Sequence, residues 1–226
     1  MDQGPKSYWA EFLGTFTLCF VGQGAIVVQH VLGHGDLLTI AAAHGLALAT
    51  MISALGAVSG GHFNPAVTFG FVVAGRQSWT SAITYWIAQL IGAVVASVLL
   101  RAAVPGEAGD AVHYGAPAIA AGVGLSQAFI LEFVLTFLLV TVVWGTAVDE
   151  RGPKIGGFGI GLTVMMGILV AGPLTGGAFN PARAFGAALV SGTWGSHWLY
   201  WAAPMLGGAA AARAYRGIVL RPWENR

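Results

Sequence analysis

The sequence predicts an all-α membrane protein with six transmembrane helices plus two re-entrant half-helices in an inverted repeat. Three observations lead there: a charge-poor composition, six long apolar runs with two short ones, and a match between the two halves of the chain. Of 226 residues, 56% are hydrophobic and 8% charged, and the mean hydropathy is +0.74. A soluble domain carries roughly 25% charged residues, so this chain could not clothe a core with a hydrated surface. Six spans of about 20 residues use roughly 120 positions and leave about 100 for short loops and termini, too few for a second domain. A formal net charge of +1 provides no field to draw nucleic acid. The one cysteine, Cys19, lies in an apolar run, which excludes an internal disulfide and a cysteine metal cluster.

The long runs fall at about 8–30, 38–58, 79–103, 125–148, 155–172 and 197–216. Each suffices, or nearly so, for a helix across a bilayer, whereas the runs at about 64–75 and 180–191 are too short. The polar stretch Met1 to Ser7 has no basic segment followed by a small-residue cleavage site, so the first run is expected to be a retained helix. If six helices alternate, Lys6, Arg76, Arg151, Lys154, Arg213, Arg216, Arg221 and Arg226 share one side and Arg101 alone lies on the other. The excess of basic residues makes that side, with both termini, cytoplasmic. Arg183 lies within the second short run, where a charge needs its own explanation.

Ala10-Glu11-Phe12-Leu13-Gly14-Thr15-Phe16 recurs as Leu131-Glu132-Phe133-Val134-Leu135-Thr136-Phe137, an offset of 121. Phe63-Asn64-Pro65-Ala66 recurs as Phe179-Asn180-Pro181-Ala182, and Tyr85-Trp86 with Gly92 recurs as Tyr200-Trp201 with Gly207, at offsets of 116 and 115. Each half carries three crossings, an odd number, so the second half must enter the membrane from the opposite face. The short runs then enter from opposite sides and meet near the midplane. In each, Asn-Pro opens a helix, because proline suits the first helical position and asparagine the cap before it. Ser59-Gly60-Gly61-His62 and Thr175-Gly176-Gly177-Ala178 precede them as irregular backbone at membrane depth, which is tolerated only where it is buried in protein or lines a wet cavity.

Two Asn-Pro-Ala motifs (Asn64, Pro65, Ala66 and Asn180, Pro181, Ala182), Arg183 after the second, the repeated Glu11 and Glu132, and six spans resemble the aquaporin, or major intrinsic protein, family over essentially the whole chain. Ser59-Gly60-Gly61-His62, Ala42-Ala43-His44-Gly45-Leu46-Ala47-Leu48 and Gly167-Ile168-Leu169-Val170-Ala171-Gly172-Pro173 look most like tonoplast intrinsic proteins and their prokaryotic relatives. The resemblance implies an aquaporin-like fold in which residues 1–226 form one transmembrane channel domain, with repeat halves of about 8–103 and 125–216. It also implies a homotetramer in the lipid bilayer. The expected activity is passive conduction of water and small neutral solutes, among them ammonia, urea or hydrogen peroxide, with protons and ions excluded. No enzymatic activity, cofactor or metal is expected, and the short loops point to a plasma (inner) membrane.

Counting from the Asn-Pro-Ala motifs, the family's aromatic/arginine constriction maps onto His44, Ile168, Gly177 and Arg183. Strict water channels of the family have phenylalanine where His44 lies and histidine where Ile168 lies. His, Ile, Gly and Arg resemble the ammonia-permeable tonoplast type, although its extra loop histidine aligns with Pro117, and the nearest histidine is His113. Ala184 and His44 stand where the glycerol-conducting branch has aspartate and tryptophan, so a glycerol facilitator is the alternative, followed by a secondary transporter. Many relatives have a mercury-sensitive cysteine at the place of Gly177, so weak mercury inhibition is expected.

In this reading Asn64 and Asn180 donate to passing water, and the carbonyls of Gly60, Gly61, His62, Gly176, Gly177 and Ala178 accept from it, while Ile168 and Val164 form an apolar wall. His44 is expected to sit close to Arg183. Glu11 and Glu132, expensive within spans unless paired, are expected to accept hydrogen bonds from the re-entrant loops, with help from Thr15 and Thr136. Gly92 with Ala96 and Gly208 with Ala212 read as small faces for tight helix packing. Trp9, Trp79, Trp194, Trp198 and Trp223 read as interfacial anchors.

Overall fold

A computed structural model describes residues 4–221; Trp223 and Arg226 lie outside them. The chain runs α1 (Pro5–Val31), α2 (Leu37–Ser59), α3 (Pro65–Val73), α4 (Trp79–Ala103), α5 (Gly106–Ala111), α6 (Leu125–Val143), α7 (Phe158–Thr175), α8 (Pro181–Ser191) and α9 (Leu199–Ala214). The helices α1, α2, α4, α7 and the segment Leu125–Val148 are each long and apolar enough to cross a membrane. The sixth span is built differently: 16 α-helical residues continue through 6 more in π-helical turns, Tyr215–Leu220. The fourth span ends the same way at Trp144–Val148. The fifth starts at Phe158, later than the apolar pattern predicts, because Gly156 turns the chain at φ +58. It continues through Pro173 to Thr175. Short α5 in the loop between α4 and α6 has no counterpart in the sequence reading, since six residues carry too little periodicity to signal a helix.

Packing repeats between the halves. α1 packs on α2 and α4, and α6 packs on α7 and α9. The half-helices cross over: α3 lies against α9 and α8 against α4, so each half seats the other's short helix, and α2 meets α7 between them. Close approach is bought by missing side chains at matched places. A Cβ on Gly92 would stand 2.4 Å from the carbonyl oxygen of Phe12, and one on Gly207 would stand 2.3 Å from that of Phe133. Without a hydrophobic drive between helices in lipid, such backbone contact is a main source of cohesion.

Burial departs from that of a soluble protein at both surfaces. Glu11, Gln23, Gln89, Glu132 and Arg183 are buried, while Leu46, Ile83, Ile130, Leu162 and Leu206 face outward. Trp9, Trp79, Trp194 and Trp198, near the ends of helices, are also exposed. At one end, the turn after the fourth span is clasped by Asp149, which accepts from Arg151 Nε (2.8 Å) and Nη2 and from the Tyr215 hydroxyl (3.2 Å). The Arg151 guanidinium holds the Asp149 carboxyl well below the usual carboxylate range. This ties the α6–α7 turn to the end of α9.

Candidate functional site

Two buried carboxylates carry the re-entrant loops. Gly60, at φ +90, caps α2 in the left-handed region and lets the chain turn back into the protein. Glu11 then accepts from Ser59 Oγ (2.7 Å), His62 N (3.0 Å), Phe63 N (2.7 Å) and Gln89 Nε2 (2.7 Å). Gly176, at φ +83, caps α7 in the same way. Glu132 accepts from Thr175 Oγ1 (2.7 Å), Ala178 N (3.0 Å) and Phe179 N (2.8 Å). The Tyr85 and Tyr200 hydroxyls each donate at 2.8 Å to the carbonyls of Ser59 and Thr175. Thr15 and Thr136 do not join these clusters as the sequence reading expects. Their hydroxyls bond back to the carbonyls of Glu11 and Glu132 one turn earlier, the usual competition of threonine for helix backbone.

This bonding places Phe63 and Phe179 at φ +48 and +49, a conformation that costs a non-glycine residue roughly 1–3 kcal/mol and persists only where surroundings enforce it. The enforcement is reciprocal. Asn180 Nδ2 donates to the Phe63 carbonyl and Asn64 Nδ2 to the Phe179 carbonyl, both at 2.8 Å, so each Asn-Pro-Ala motif grips the loop of the other. The same asparagines cap their helices: Asn64 Oδ1 accepts from Ala66 N (2.8 Å), and Asn180 Oδ1 from Ala182 N (3.0 Å) and Arg183 N (3.3 Å). Pro65 and Pro181 sit at the first helical positions. One N–H of each amide is left to face the space between the half-helices.

That space is a narrow cavity lined by Gly61, His62, Asn64, Gly177, Ala178, Asn180 and Arg183 together with apolar side chains including Val164 and Ile168. Its volume is about 20 Å³, close to the least that holds one water. It shares Ile168 and Arg183 with a wider vestibule of about 280 Å³, and His62 and Ile52 with two others of about 290 and 400 Å³. The cavities therefore share walls.

On the wall of this cavity, Arg183 Nε donates to His44 Nε2 at 3.3 Å, and Nη2 donates to the Gly176 carbonyl at 3.3 Å. His44 Nδ1 lies 2.9 Å from the Ile40 carbonyl. One tautomer satisfies both bonds: a neutral ring with its proton on Nδ1 and a lone pair toward arginine. Arg183 Nη1 is buried with no partner among the described residues, an unused donor group beside the cavity. The ring of His44 rests against Gly22, where a Cβ would stand 2.3 Å from Nε2. We expect Gly22→Ala to push His44 off α1 and lower water permeability severalfold in a chain that still folds; unchanged flux in proteoliposomes would contradict this placement.

The family described as "Major intrinsic protein" matches residues 3–215. The chain belongs to this family. It is 45% identical to a probable aquaporin TIP3-2 of Arabidopsis thaliana, covering 93% of this chain and 82% of that one. It is 42% identical to aquaporin NIP1-4 of rice, Oryza sativa subsp. japonica, over 93% and 76% of the two. The X-ray structure of the aquaglyceroporin from Plasmodium falciparum superposes with a TM-score of 0.88 at 26% identity, covering 98% and 99% of the two chains. This major intrinsic protein is thus a multi-pass membrane channel of the aquaporin kind, from a family of channels rather than of enzymes.

The aquaporin fold brings the predicted residues together with two adjustments. Gly60 and Gly176 border the vestibules, not the narrow middle, because they are the left-handed caps that precede each loop's entry, and the Gly176 carbonyl is already engaged by Arg183. Pro117 lines the vestibule beside Gly176, while His113 is exposed and is not among the residues lining it. Sequence reasoning did not single out Ser59, Thr175 or Gln89 as loop supports. The first two are a repeat pair at the same offset as the asparagines, a usable signal. Gln89 has Pro204 at the matched place, so no repeat betrays it.

Proposed function

We propose that this channel conducts water and ammonia in single file while excluding protons and ions, with His44, Ile168, Gly177 and Arg183 as its selectivity filter. The observation that carries the reading is the narrow cavity itself: a charged side chain whose Nη1 is unused, among apolar lining residues, in a space with room for about one water. Each half-helix presents about half a positive charge at its N-terminus, and α3 and α8 direct theirs at the same cavity, which raises a barrier to cations. A water between the asparagines meets amide donors from Asn64 and Asn180 and loop carbonyls as acceptors, so it gives up its neighbours while keeping partners. The apolar wall binds it weakly and favours throughput. His44, bonded through Nε2 to Arg183, polarises the neck toward small dipolar solutes. Ile168 removes the polar group that a strict water filter would have there, and Gly177 adds width. The channel lies in the plasma (inner) membrane with both termini cytoplasmic, as the basic residues on that side direct, and assembles as a homotetramer.

The test is stopped-flow light scattering on proteoliposomes with water, ammonia, urea, hydrogen peroxide and glycerol compared side by side. Water and ammonia are expected above empty liposomes, and glycerol near them. Ammonia uptake equal to that of empty liposomes, with water transport intact, would overturn the ammonia assignment; glycerol flux matching water would favour the facilitator alternative. Saturation and dependence on an ion gradient would instead mark a transporter.

Cys19 packs in a cluster with Ala93, Ala96 and Ala182 and does not line the narrow cavity, whereas Gly177 does. Mercurials should therefore inhibit the natural chain weakly and block Gly177→Cys strongly. Complete block of the natural chain at low dose would mean that Cys19 reaches the pathway.

A further inference from the structure

A further cavity, outside the pathway, lies between the end of α3 and the π-helical end of the sixth span. It is lined by Val73, Ala74, Arg213, Arg216, Gly217 and Arg221, and its volume is about 100 Å³. Half of those residues are arginines, and among the described residues no carboxylate contributes to the lining. Among the described residues, Arg213, Arg216 and Arg221 form no ion pair. Arg216 donates through Nη1 to the Ala74 carbonyl, while its Nε is buried with no partner. Three like charges around one small cavity repel one another, and a buried donor left unpaired adds to the cost. An anion with several acceptor oxygens answers both, and guanidinium forks match phosphate geometry. Ile218, 76% exposed, belongs to the same turns, which puts an apolar flank beside the charged cavity as at a bilayer edge.

We propose that this cavity binds the phosphate of an anionic lipid headgroup at the basic edge of the bundle. The inference is independent of what the channel conducts. Arg213 and Arg221 grip the headgroup from the exposed side, and Arg216, anchored on Ala74, offers its Nε from beneath.

Native mass spectrometry of the detergent-solubilised protein, titrated with phosphatidylglycerol, phosphatidylcholine or inorganic phosphate, tests it. Phosphatidylglycerol is expected to bind more tightly than phosphatidylcholine. Its affinity should fall about tenfold or more in the double variant Arg213→Gln with Arg221→Gln, each replacement removing a charge-assisted bond. Arg213→Lys, which keeps the charge but loses the fork, should lose less. The double variant Lys6→Gln with Lys154→Gln makes the same charge change outside the cavity and should bind as the natural chain does. Water permeability serves as the folding check, since neither arginine of the variant lines the pathway. Displacement of the lipid by inorganic phosphate would overturn the lipid as occupant in favour of free phosphate; retention of the lipid supports it. Equal affinity for the two lipids, or an equal loss in both double variants, would overturn the site and leave only general surface attraction.

Discussion

Replacing Glu11 with leucine is expected to abolish the folded channel. The Glu11 carboxylate accepts from two backbone N–H groups, a hydroxyl and an amide, all buried. Bonds to a charged group contribute roughly 1.5–3 kcal/mol each, and their loss would strand the donors without water. Four together approach the total stability of an ordinary domain, roughly 5–15 kcal/mol. The strained Phe63 conformation would lose its anchor as well. Glu11→Gln should be milder but still severe, because the amide turns an N–H group toward donors. The matching replacement, Glu132→Leu, strands three donors and should rank just below Glu11→Leu. Size-exclusion profiles in detergent, with water flux on whatever protein reconstitutes, provide the measurement. A monodisperse Glu11→Leu protein with natural permeability would show that the loop holds its shape without the carboxylate.

Arg183→Val should leave a folded channel with a damaged filter. Its backbone N–H still meets Asn180, so α8 keeps its cap. What disappears is a full charge at the neck and the bonds to His44 and the Gly176 carbonyl. A unit charge about 4 Å from a passing cation opposes it by roughly 4 kcal/mol at an effective dielectric constant near 20. Removing it should raise cation leakage by up to about a thousandfold. The two half-helix termini would remain to oppose protons, so proton leakage should rise less than the charge alone implies. Urea and glycerol should also enter faster as the neck widens. Arg183→Lys separates charge from shape: lysine keeps the charge but cannot reproduce the fork, so it should exclude cations and lose selectivity among neutral solutes. Dye-reported proton and cation flux, read beside urea uptake, measures both. Unchanged selectivity in Arg183→Val would remove Arg183 from the filter.

Much of this molecule was legible in the linear chain because bilayer physics constrains it so tightly. A span must be apolar for about 20 residues, which exposes its existence, and two short runs that begin with Asn-Pro after Gly-Gly leave few shapes open to them. Offsets of 121, 116 and 115 between the halves, with three crossings in each, dictate inversion before any contact is known. Boundaries were less legible. The late start of the fifth span and the π-helical ends of the fourth and sixth depend on glycine turns and on Trp144, Asp149 and Tyr215 meeting across elements.

By itself, then, the sequence determined the number of spans, their inverted arrangement, the caps of the half-helices and the residue types available at the neck, since each follows from local pattern or from repetition. Only the tertiary structure decided which asparagine grips which loop, that Gln89 completes the Glu11 cluster, that Gly22 makes room for His44, and that Arg183 keeps one donor free. Those facts join residues from 22 to more than a hundred positions apart. No periodicity records such a distance, because contact there is set by how close two backbones come when a side chain is missing between them.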